Sequence, residues 1–272
     1  MNIRPPMKIG VTGCGGRMGR LLICEVLSSP NCELVGGCDL AGSAAIGKDV
    51  ATQAGLEAIG LTVSDDPETL FQSADAVIDC TNPAVAKSHL ELAGRHRTIL
   101  ILGTTGLDSG HRAAVDAAAL ETVVVQAPNM SVGVTLLMTL VERAATVLGS
   151  GYDVEITDIH HRGKVDSPSG TAVMLGQSVA RKRGQDFGQM ARTVRHGETG
   201  PRRPSDIGFA VSRGGDVTGD HTVILAGQGE RIELTQRTFS RALYAQGGVR
   251  AALWARERPA GRYSMRDVLG FA

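Results

Sequence analysis

The sequence lacks most of the features that mark specialised classes of protein. Aromatic residues make up only 3% of its 272 residues. The five cysteines are odd in number and contain no Cys-x-x-Cys pair, which argues against a disulfide framework and a zinc site. No apolar run approaches the ~18 residues of a membrane span, and the N-terminus has no signal-peptide core. We therefore expect a globular protein of the cytoplasm, with cysteines as small core residues.

An excess of charge of one sign is also missing. Lys plus Arg and Asp plus Glu number 28 each, so the chain has no net charge at neutral pH. Proteins that bind nucleic acid or anionic membranes through their overall field carry a basic excess, and neither partner is predicted here. Any acidic ligand must then be held by a local cluster of cations.

Glycine, by contrast, is abundant, with 35 residues where an average of about 7% would give far fewer. This composition favours tight turns and close approaches of the backbone. At roughly 150 residues per domain, the length suggests two domains.

The first half of the chain alternates short β-branched runs with helical patterns. This alternation predicts βαβ units and an α/β fold with a doubly wound parallel sheet of the Rossmann type. The predicted strands are 8–12, 33–38, 76–80, 98–102 and 122–125, and the predicted helices are 18–28, 67–72, 84–94 and 109–119, with Ser109 as a cap. Segment 41–60 shows no clear period and is expected to be a loop.

After residue 128 the pattern changes to that of an α+β domain. It predicts a helix at 132–148, a strand at 152–160, a helix at 171–182, a polar linker at 183–206, and strands at 207–212, 221–226 and 231–237, the last two forming a hairpin. The sheet is expected to be mostly antiparallel with helices on one face. A last helix, 241–256, with Leu243, Val249 and Trp254 buried, is expected to return to the first domain. The predicted domains are 1–130 with 241–272 for dinucleotide binding, and 131–240 for substrate binding.

A glycine-rich loop follows the first predicted strand. Glycines at positions 10, 13, 15, 16 and 19 let the backbone approach a pyrophosphate at the start of the next helix. Asp39, about 20 residues on, is placed to bond ribose hydroxyls. The spacing departs from G-x-G-x-x-G because Met18 takes the third glycine position, and a glycine turn without a ligand is the alternative. The predicted cofactor-binding residues here are Gly13, Cys14, Gly15, Gly16, Arg17, Met18 and Asp39.

Leu40 bears on which nicotinamide cofactor is used. An Arg after the acid could neutralise the 2′-phosphate of NADPH, which Leu40 cannot do, and Asp39 would repel that phosphate. NADH is therefore favoured and NADPH is the alternative, with Arg17 as a cation of the loop that could reach a phosphate.

Two more loops follow the fourth and fifth predicted strands. Ligands of open α/β sheets lie outside the carboxyl ends of the strands, so both loops are expected to face the nicotinamide end of the cofactor. Helix capping is an alternative role for Thr104 and Thr105. The predicted cofactor-binding residues of these loops are Gly103, Thr104, Thr105, Ala127, Pro128, Asn129 and Met130.

The segment HHRGKVDSPSGT at 160–171 lies between a predicted strand and a predicted helix. Adjacent strand residues point to opposite faces, so His160 and His161 are poorly placed to chelate one metal, and no metal is predicted. Histidine can carry a proton near pH 7, and Lys164 in a confined pocket can donate one or pair with a carboxylate. A solvated surface charge is the alternative for Lys164.

The start of the following helix can receive a carboxylate. Ser169, Gly170 and Thr171 offer free amides and two hydroxyls. Capping without a ligand would also explain Ser169 or Thr171. Asp166 is expected to orient Lys164 or the turn. The segment therefore predicts a site for an acidic substrate beside proton carriers.

These motifs resemble those of one enzyme family. GCGGRMG at 13–19, GTTG at 103–106, NMSVG at 129–133 and HHRGKVDSPSGTA at 160–172 occur in order, followed by IGFA at 207–210, RGGD at 213–216, GDHT at 219–222 and SR at 240–241. Together they are similar to the 4-hydroxy-tetrahydrodipicolinate reductase (dihydrodipicolinate reductase) family of the diaminopimelate–lysine pathway. The resemblance covers nearly the whole chain.

The resemblance implies an NAD(P)H-dependent oxidoreductase that acts on a small dicarboxylate and assembles as a homotetramer through its second domain. By motif position, His160 would be the proton donor or acceptor and Lys164 a proton donor. The substrate would be bound by His161, Ser169, Gly170 and Thr171. Leu40 stands where many members have Arg, and Gly248 where Ala is common.

Two other functions are compatible with parts of the sequence. One is a different Rossmann reductase of a small acid, although no cysteine is placed as a thioester nucleophile. The other is a non-catalytic sensor that binds NADH, which would leave the histidine and lysine segment unexplained. Consumption of NADH with the expected substrate separates all three.

Overall fold

The structure is a computed structural model that describes residues 5–271, and its internal contacts divide the chain into two compact units. Unit 1 comprises the chain up to Val132 together with the segment from Ala242 onward, and unit 2 comprises Gly133–Arg241. The predicted boundaries at 130/131 and 240/241 lie within two residues of these.

Unit 1 is built around a six-stranded sheet in which every ladder is parallel. Its strands, in the order β11-β5-β4-β3-β1-β2, are β1 (Met7–Thr12), β2 (Cys32–Cys38), β3 (Ala76–Asp79), β4 (Ile99–Leu102), β5 (Val123–Gln126) and β11 (Gly261–Tyr263). Its helices are α1 (Arg17–Ser28), α2 (Val50–Gln53), α3 (Pro67–Ser73), α4 (Pro83–His96), α5 (Ser109–Ala118), α9 (Ala242–Ala255) and α10 (Met265–Val268).

Both faces of this sheet are covered, which confirms the doubly wound prediction. Alternate strand residues divide between two apolar clusters. Ile9, Ile78 and Ile101 pack with residues of α1 and α9, whereas Val77 and Leu100 pack with residues of α3, α4 and α5. The strand order reverses between β1 and β3, and ligands of such sheets bind in the crevice at that point.

Helix α9 packs through small side chains rather than through the large ones predicted. Val249 is buried, but Leu243 and Trp254 are only half-buried. The fully buried positions of the helix are glycines and alanines, because neighbouring backbone approaches closely: a Cβ atom on Gly247 would lie 1.8 Å from the carbonyl oxygen of Met130. Trp254 instead packs edge-on against Tyr263, with ring centroids 5.2 Å apart.

Segment 41–60 is not wholly irregular, because it contains the one-turn helix α2. The carboxylate of Asp49 accepts hydrogen bonds from the amides of Ala51 and Thr52 at the start of α2, and from those of Ile59 and Gly60. One side chain thus caps α2 and ties its start to the end of the segment.

Unit 2 contains a five-stranded mixed sheet in the order β10-β9-β6-β8-β7. Its elements are α6 (Val132–Leu148), β6 (Asp153–His160), α7 (Gly170–Lys182), α8 (Phe187–Met190), β7 (Ala191–Arg192), β8 (Ile207–Arg213), β9 (Gly219–Ala226) and β10 (Arg231–Thr238). Strand β9 pairs antiparallel with both β10 and β6, as the hairpin prediction requires, while β8 pairs parallel with β6 and β7. The parallel pairs make the sheet mixed: its antiparallel ladders have eight and seven residue pairs, and its parallel ladders have seven and two.

The predicted linker at 183–206 has more structure than expected, since it contains α8 and β7. Asp186 caps α8. Beyond β7, Arg195 and Arg202 both bind the carboxylate of Glu155 on β6, with shortest contacts of 2.6 and 2.9 Å. Long-range ion pairs, which composition cannot predict, therefore fix this polar segment.

Helix α6 and the turn after it, Val132–Gly151, are long and apolar enough to cross a membrane by length and composition alone. The expectation concerned an unbroken apolar run, and Glu142 and Arg143 interrupt this one. Leu137, Val141 and Ala145 belong to the apolar core of unit 2, and the buried Glu142 binds Arg181 of α7 at 2.6 Å. One face of the helix therefore packs on the core of this unit, while Leu136, Leu140 and Val147 on its surface are exposed.

Only one face of the unit 2 sheet is covered by these helices. Val154, Ile156 and Val223 point into the core with α6 and α7. The opposite face carries β-branched residues that are half-buried or exposed, namely Thr157, Ile159, Thr222, Ile224 and Thr235.

Candidate active site

The glycine loop of unit 1 joins β1 directly to α1. Gly13 has φ +66°, a left-handed conformation that glycine adopts without strain. Gly19, in the first turn of α1, lets the helix rest on the loop, because a Cβ there would lie 2.2 Å from the carbonyl oxygen of Gly13. The close packing of helix on loop is thus provided by Gly19, one position after the expected third glycine.

The N-terminus of α1 is left without a side-chain cap. Gly16 is the N-cap residue and offers no capping side chain, and the first turn contains no acidic residue. Helices α3, α4 and α5, by contrast, begin with a capping Asp or Asn. Amides at the start of a helix attract anions, so this end of α1 fits the pyrophosphate of a dinucleotide.

A cavity of about 350 Å³ opens at the reversal of strand order between β1 and β3. Three of the predicted cofactor residues line it: Gly13, Gly16 and Asp39. Leu40, which the sequence analysis placed at the cofactor, lines it as well. The sequence missed the other lining residues, which are Thr12, Cys38, Ala41, Asp65, Pro67, Cys80, Thr81, Asn82, Val85, Ser88 and His89. Its volume and glycine edge fit the adenosine half of NAD(P)H. The signal for Thr81 and Asn82 was their position directly after β3.

Asp39 closes the glycine loop from the end of β2. Its Oδ2 accepts a 2.8 Å hydrogen bond from the amide of Gly15, and its Oδ1 accepts one from the amide of Leu40. A Cβ on Gly15 would lie 2.6 Å from Oδ2, so the contact requires glycine. Arg17, the first residue of α1, is exposed.

The side chain and the amide of Cys14 are both occupied within the protein. Its side chain is buried, and its amide donates to the carbonyl of Cys38 at 3.2 Å. Burial raises the pKa of the Cys14 thiol to about 11 and that of Cys80 to about 12, so both are protonated at neutral pH. These cysteines act as packing residues rather than nucleophiles.

A buried carboxylate that the sequence analysis missed, Asp79, organises the loops after β3 and β4. It accepts hydrogen bonds from the amide and hydroxyl of Thr81 and from the hydroxyl of Thr104 at 3.2 Å, and it contacts Nδ1 of His89 at 2.8 Å. Burial alone would raise the pKa of Asp79, but the bonds from His89 and Thr81 outweigh it and lower the pKa. Thr104 is therefore held by Asp79 within the loop.

The residues of the loops after β4 and β5 differ in their roles and in their exposure to solvent. Thr104 and Thr105 do not cap α5, whose cap is Asp108 rather than the predicted Ser109. Ala127 and Met130 are buried, whereas Pro128 is exposed. The amide of Gly103 donates to the carbonyl of Asp79 at 2.8 Å.

In unit 2, His160 ends β6 and is buried beside two other titratable side chains. Its Nδ1 lies 2.7 Å from Oδ1 of Asp158, and its ring meets that of His221 edge-on with centroids 5.2 Å apart. His221 faces Asp158 directly in the register of β6 and β9. Neither Asp158 nor His221 was among the predicted site residues.

Ser169 caps α7 and is occupied by this cluster, so the capping alternative holds for it. Its hydroxyl accepts from the amide of Ala172 and lies 3.2 Å from Nε2 of His221, and its own amide donates to Oδ2 of Asp158 at 2.7 Å. Only 2% of the surface of Ser169 is exposed. Its polar groups therefore support the site and are not free to bind a carboxylate of the substrate. Gly170, next in the chain, is exposed.

Lys164 and His161 lie in the turn after β6. The amide of Lys164 donates to the carbonyl of His161, and Nζ of Lys164 binds Oδ1 of Asp166 at 2.8 Å, as expected for Asp166. Both side chains are half-buried. The lysine is thus an oriented cation rather than a freely solvated one.

Burial controls the protonation of the two histidines. It lowers the pKa of His160, against the opposing effect of Asp158, and Lys164 and Arg213 lower it further. It lowers the pKa of His221 to about 4. His221 is therefore neutral at physiological pH, and burial favours the neutral form of His160 as well.

The donor atoms of Asp158, His160 and His221 lie within 4.8 Å of one another, a spacing that a metal ion could also use. The 2.7 Å contact between Asp158 and His160 has the length of a charge-assisted hydrogen bond. The His160 ring is not aligned for a regular hydrogen bond across that contact, and the absence of a metal stays a prediction.

A Rossmann-type unit with an uncapped glycine loop, combined with a second unit carrying buried proton carriers beside a helix start, defines a class of nicotinamide-dependent reductases. Residues 7–130 match the family described as "Dihydrodipicolinate reductase, N-terminus", and residues 133–269 match "Dihydrodipicolinate reductase, C-terminus". The chain belongs to the dihydrodipicolinate reductase family.

Curated relatives agree with this membership over almost the full length. The chain is 48% identical over 264 residues to the 4-hydroxy-tetrahydrodipicolinate reductase of Burkholderia vietnamiensis, covering 97% of this chain and 99% of that protein. It is also 48% identical to the enzyme of the same name from Thiobacillus denitrificans, with 97% and 98% covered.

A solved structure shares the fold. The dipicolinate-bound dihydrodipicolinate reductase from Paenisporosarcina sp. TG-14 superposes with a TM-score of 0.75 at 23% identity, over 95% of this chain and 97% of the other. GenD2 from gentamicin A biosynthesis, in complex with NAD, has a TM-score of 0.61 at 14% identity, over 100% of this chain and 92% of the other. The likeness of fold therefore extends beyond the dihydrodipicolinate reductases.

Proposed function

We propose that this protein catalyses the NAD(P)H-dependent reduction of 4-hydroxy-tetrahydrodipicolinate to tetrahydrodipicolinate in diaminopimelate and lysine biosynthesis. Family membership over the full chain supports the reaction. The observation that carries it at the level of residues is the cluster of His160, Lys164 and the start of α7, which combines proton carriers with a seat for carboxylates.

Bound NAD(P)H supplies the hydride. The 4-hydroxyl group of the substrate leaves as water, which gives an unsaturated cyclic imine. When this imine accepts the hydride, the electron-rich enamine that results needs a proton, and His160 and Lys164 are the proposed donors. The substrate is a dicarboxylate, so the cation of Lys164, the ring of His161 and the α7 residues Gly170 and Thr171 would bind its carboxylates. Ser169 would hold the helix start in place through its cap.

The cofactor is proposed to be held by Gly13, Gly15, Gly16, Arg17 and Met18 at the pyrophosphate and by Asp39 at the ribose. The loops at 103–105 and 127–130 would contact the nicotinamide half. Asp79 would keep the first of these loops in place through Thr104.

NADH is the proposed preferred cofactor. Asp39 and Asp65 both line the adenosine cavity, and none of the described lining residues is Lys or Arg. Leu40 also lines the cavity, and half of its surface is exposed. Two carboxylates without a compensating cation disfavour the 2′-phosphate of NADPH.

A homotetramer of the cytoplasm is proposed as the working form. The sheet face of unit 2 that carries Thr157, Ile159, Thr222, Ile224 and Thr235 is rich in β-branched residues and is left uncovered by α6 and α7. A second copy of this sheet would bury it by face-to-face packing. Native mass spectrometry of the purified protein tests this, and a monomer at micromolar concentration would exclude it.

The activity is tested by following NADH absorbance with freshly prepared substrate, and then repeating the assay with NADPH. We expect the protein to oxidise both cofactors. At low cofactor concentrations, the rate with NADH should exceed the rate with NADPH. Binding of NADH without consumption would favour a redox sensor, and consumption only with another small acid would favour a different reductase.

A further inference from the structure

Asp158 is a fully buried carboxylate that joins the proton carrier to the helix start. Its side chain has no exposed surface. Oδ1 contacts Nδ1 of His160 at 2.7 Å and Oδ2 accepts the amide of Ser169 at 2.7 Å. His221 and Arg213 lie farther away, at 3.6 and 3.7 Å. One side chain therefore touches both halves of the cluster in unit 2.

The two edges of the His160 ring have different surroundings. Nδ1 faces Asp158, although the ring N–H is not aligned for an ideal hydrogen bond. The opposite edge lies over Gly219, where an added Cβ would come within 2.9 Å of Nε2. A carboxylate at one ring nitrogen stabilises the tautomer with the proton on that nitrogen, and leaves the other nitrogen for the substrate.

We propose that Asp158 is a positioning residue for the reaction: it holds His160 in the orientation and tautomer that expose Nε2 for proton transfer, and fixes that ring relative to the start of α7. The inference rests on the proposed function of His160. Asp158 has no exposed surface through which to meet a substrate, so it acts only through its neighbours.

The charges around His160 distinguish this role from simple packing. From β6, Asp158 favours the charged imidazolium, whereas Lys164 of the turn and Arg213 of β8 oppose it. From β9, His221 is neutral at physiological pH. From α7, Ser169 contributes only uncharged groups. Asp158 is thus the group that opposes the lowering of the His160 pKa by burial and by the two cations.

The test is Asp158→Asn in the full-length protein, because asparagine keeps the shape and can still accept the amide of Ser169. We expect kcat to fall about 10- to 100-fold, the range found when the partner that orients a functional histidine is removed. KM should change little. The alkaline limb of the kcat profile, where His160 loses its proton, should move to lower pH. Asp153→Asn, at the exposed start of the same strand, is the matched control and should retain activity.

Two results would overturn the proposal. One is wild-type kcat and pH profile in Asp158→Asn. The other is a loss of activity with an unshifted pH profile and a lower melting temperature, which would assign Asp158 a structural role only.

A measurement on the wild-type protein covers the case in which Asp158→Asn does not fold. With histidine labelled by ¹⁵N, we expect neutral His160 to carry its proton on Nδ1, in the presence and absence of NADH. A proton on Nε2 would overturn the proposal. This reading does not depend on turnover, so a wild-type protein without reductase activity would refute the proposed function separately.

Discussion

The ammonium of Lys164 lies 2.8 Å from Oδ1 of Asp166, two residues along the same turn. This pairing holds the pKa of Asp166 below its usual range, and the amide of Gly170 at the start of α7 lowers it further. The ammonium of Lys164 and the amide of Gly170 are the two groups proposed to bind a carboxylate of the substrate. An internal carboxylate therefore already lies against them.

We expect Asp166→Asn to bind dicarboxylates more tightly, because the neutral amide competes less well for Lys164. Pyridine-2,6-dicarboxylate is a suitable probe, and its Kd should fall by about 2- to 5-fold, the effect of an exposed ion pair worth up to about 1 kcal/mol. Calorimetry measures it, with Glu198→Gln on the exposed linker as the control. Weaker binding would mean that Asp166 orients Lys164 for the substrate instead.

Removal of the proposed proton donors should separate chemistry from cofactor binding. In Lys164→Ala and His160→Ala we expect kcat to fall by about 10²- to 10⁴-fold, the usual contribution of a positioned acid. NADH should still bind, since its proposed ligands lie in unit 1. Steady-state kinetics and NADH fluorescence check the two effects, with Lys182→Ala at the end of α7 as the control. Full turnover in the double variant contradicts the assignment.

Cofactor preference should respond to a single cation beside Asp39. Leu40→Arg places a guanidinium where the 2′-phosphate would lie, and we expect kcat/KM for NADPH to rise by about tenfold relative to NADH, the equivalent of about 1.4 kcal/mol. Leu56→Arg adds the same charge at another exposed leucine of unit 1 and should leave the ratio unchanged. An equal response in both variants would show only a general effect of charge.

The buried His221 should make the protein sensitive to acid. Its folded pKa of about 4 lies below the ordinary value of 6.5, so the unfolded chain binds the proton more tightly. Its contribution is fully present above pH 6.5 and is lost as the pH falls toward 4, by up to about 3 kcal/mol. His221→Asn should flatten this fall in the free energy of unfolding, measured with urea, whereas the exposed His196→Asn should not. Parallel curves for wild type and His221→Asn would contradict the prediction.

Adjacent glycines of α9 should differ sharply in their tolerance of a methyl group. Gly247→Ala would place Cβ 1.8 Å from the Met130 carbonyl oxygen, and backbone must move, so we expect a loss of about 1–3 kcal/mol and weaker NADH binding. At Gly248 the nearest atom is the flexible sulfur of Met130 at 3.3 Å. Gly248→Ala should therefore keep NADH affinity and stability. Thermal unfolding and NADH titration of both variants provide the comparison.

The fold followed from local patterns because most predicted elements have a clear hydrophobic period and several helices begin at a capping residue. Strand β1 begins one residue before its predicted start, and helix α6 has its predicted bounds. Partners distant in the sequence were harder. The antiparallel register places Asp158 opposite His221, 63 residues away, and no periodicity specifies that register. The same limit hid the pairing of Asp79 with His89.

Within the site, the sequence identified side chains by their chemistry. It did not show which of their polar groups are already hydrogen-bonded within the protein. Ser169 was expected to meet a substrate, yet Asp158 and His221 occupy its polar groups. Cys14 lies in the predicted loop but faces the core. Such occupancy depends on which side chains the fold brings together, whereas a motif records only their order.

The two faces of strand β6 carry side chains with different surroundings. Asp158 and His160 point toward α7, while Thr157 and Ile159 point to the open face of the sheet. A molecule that bound to Ile159 on the open face would therefore contact the residue next to His160 without entering the substrate site. Inhibition by that route would not require a carboxylate, and raising the substrate concentration would not relieve it.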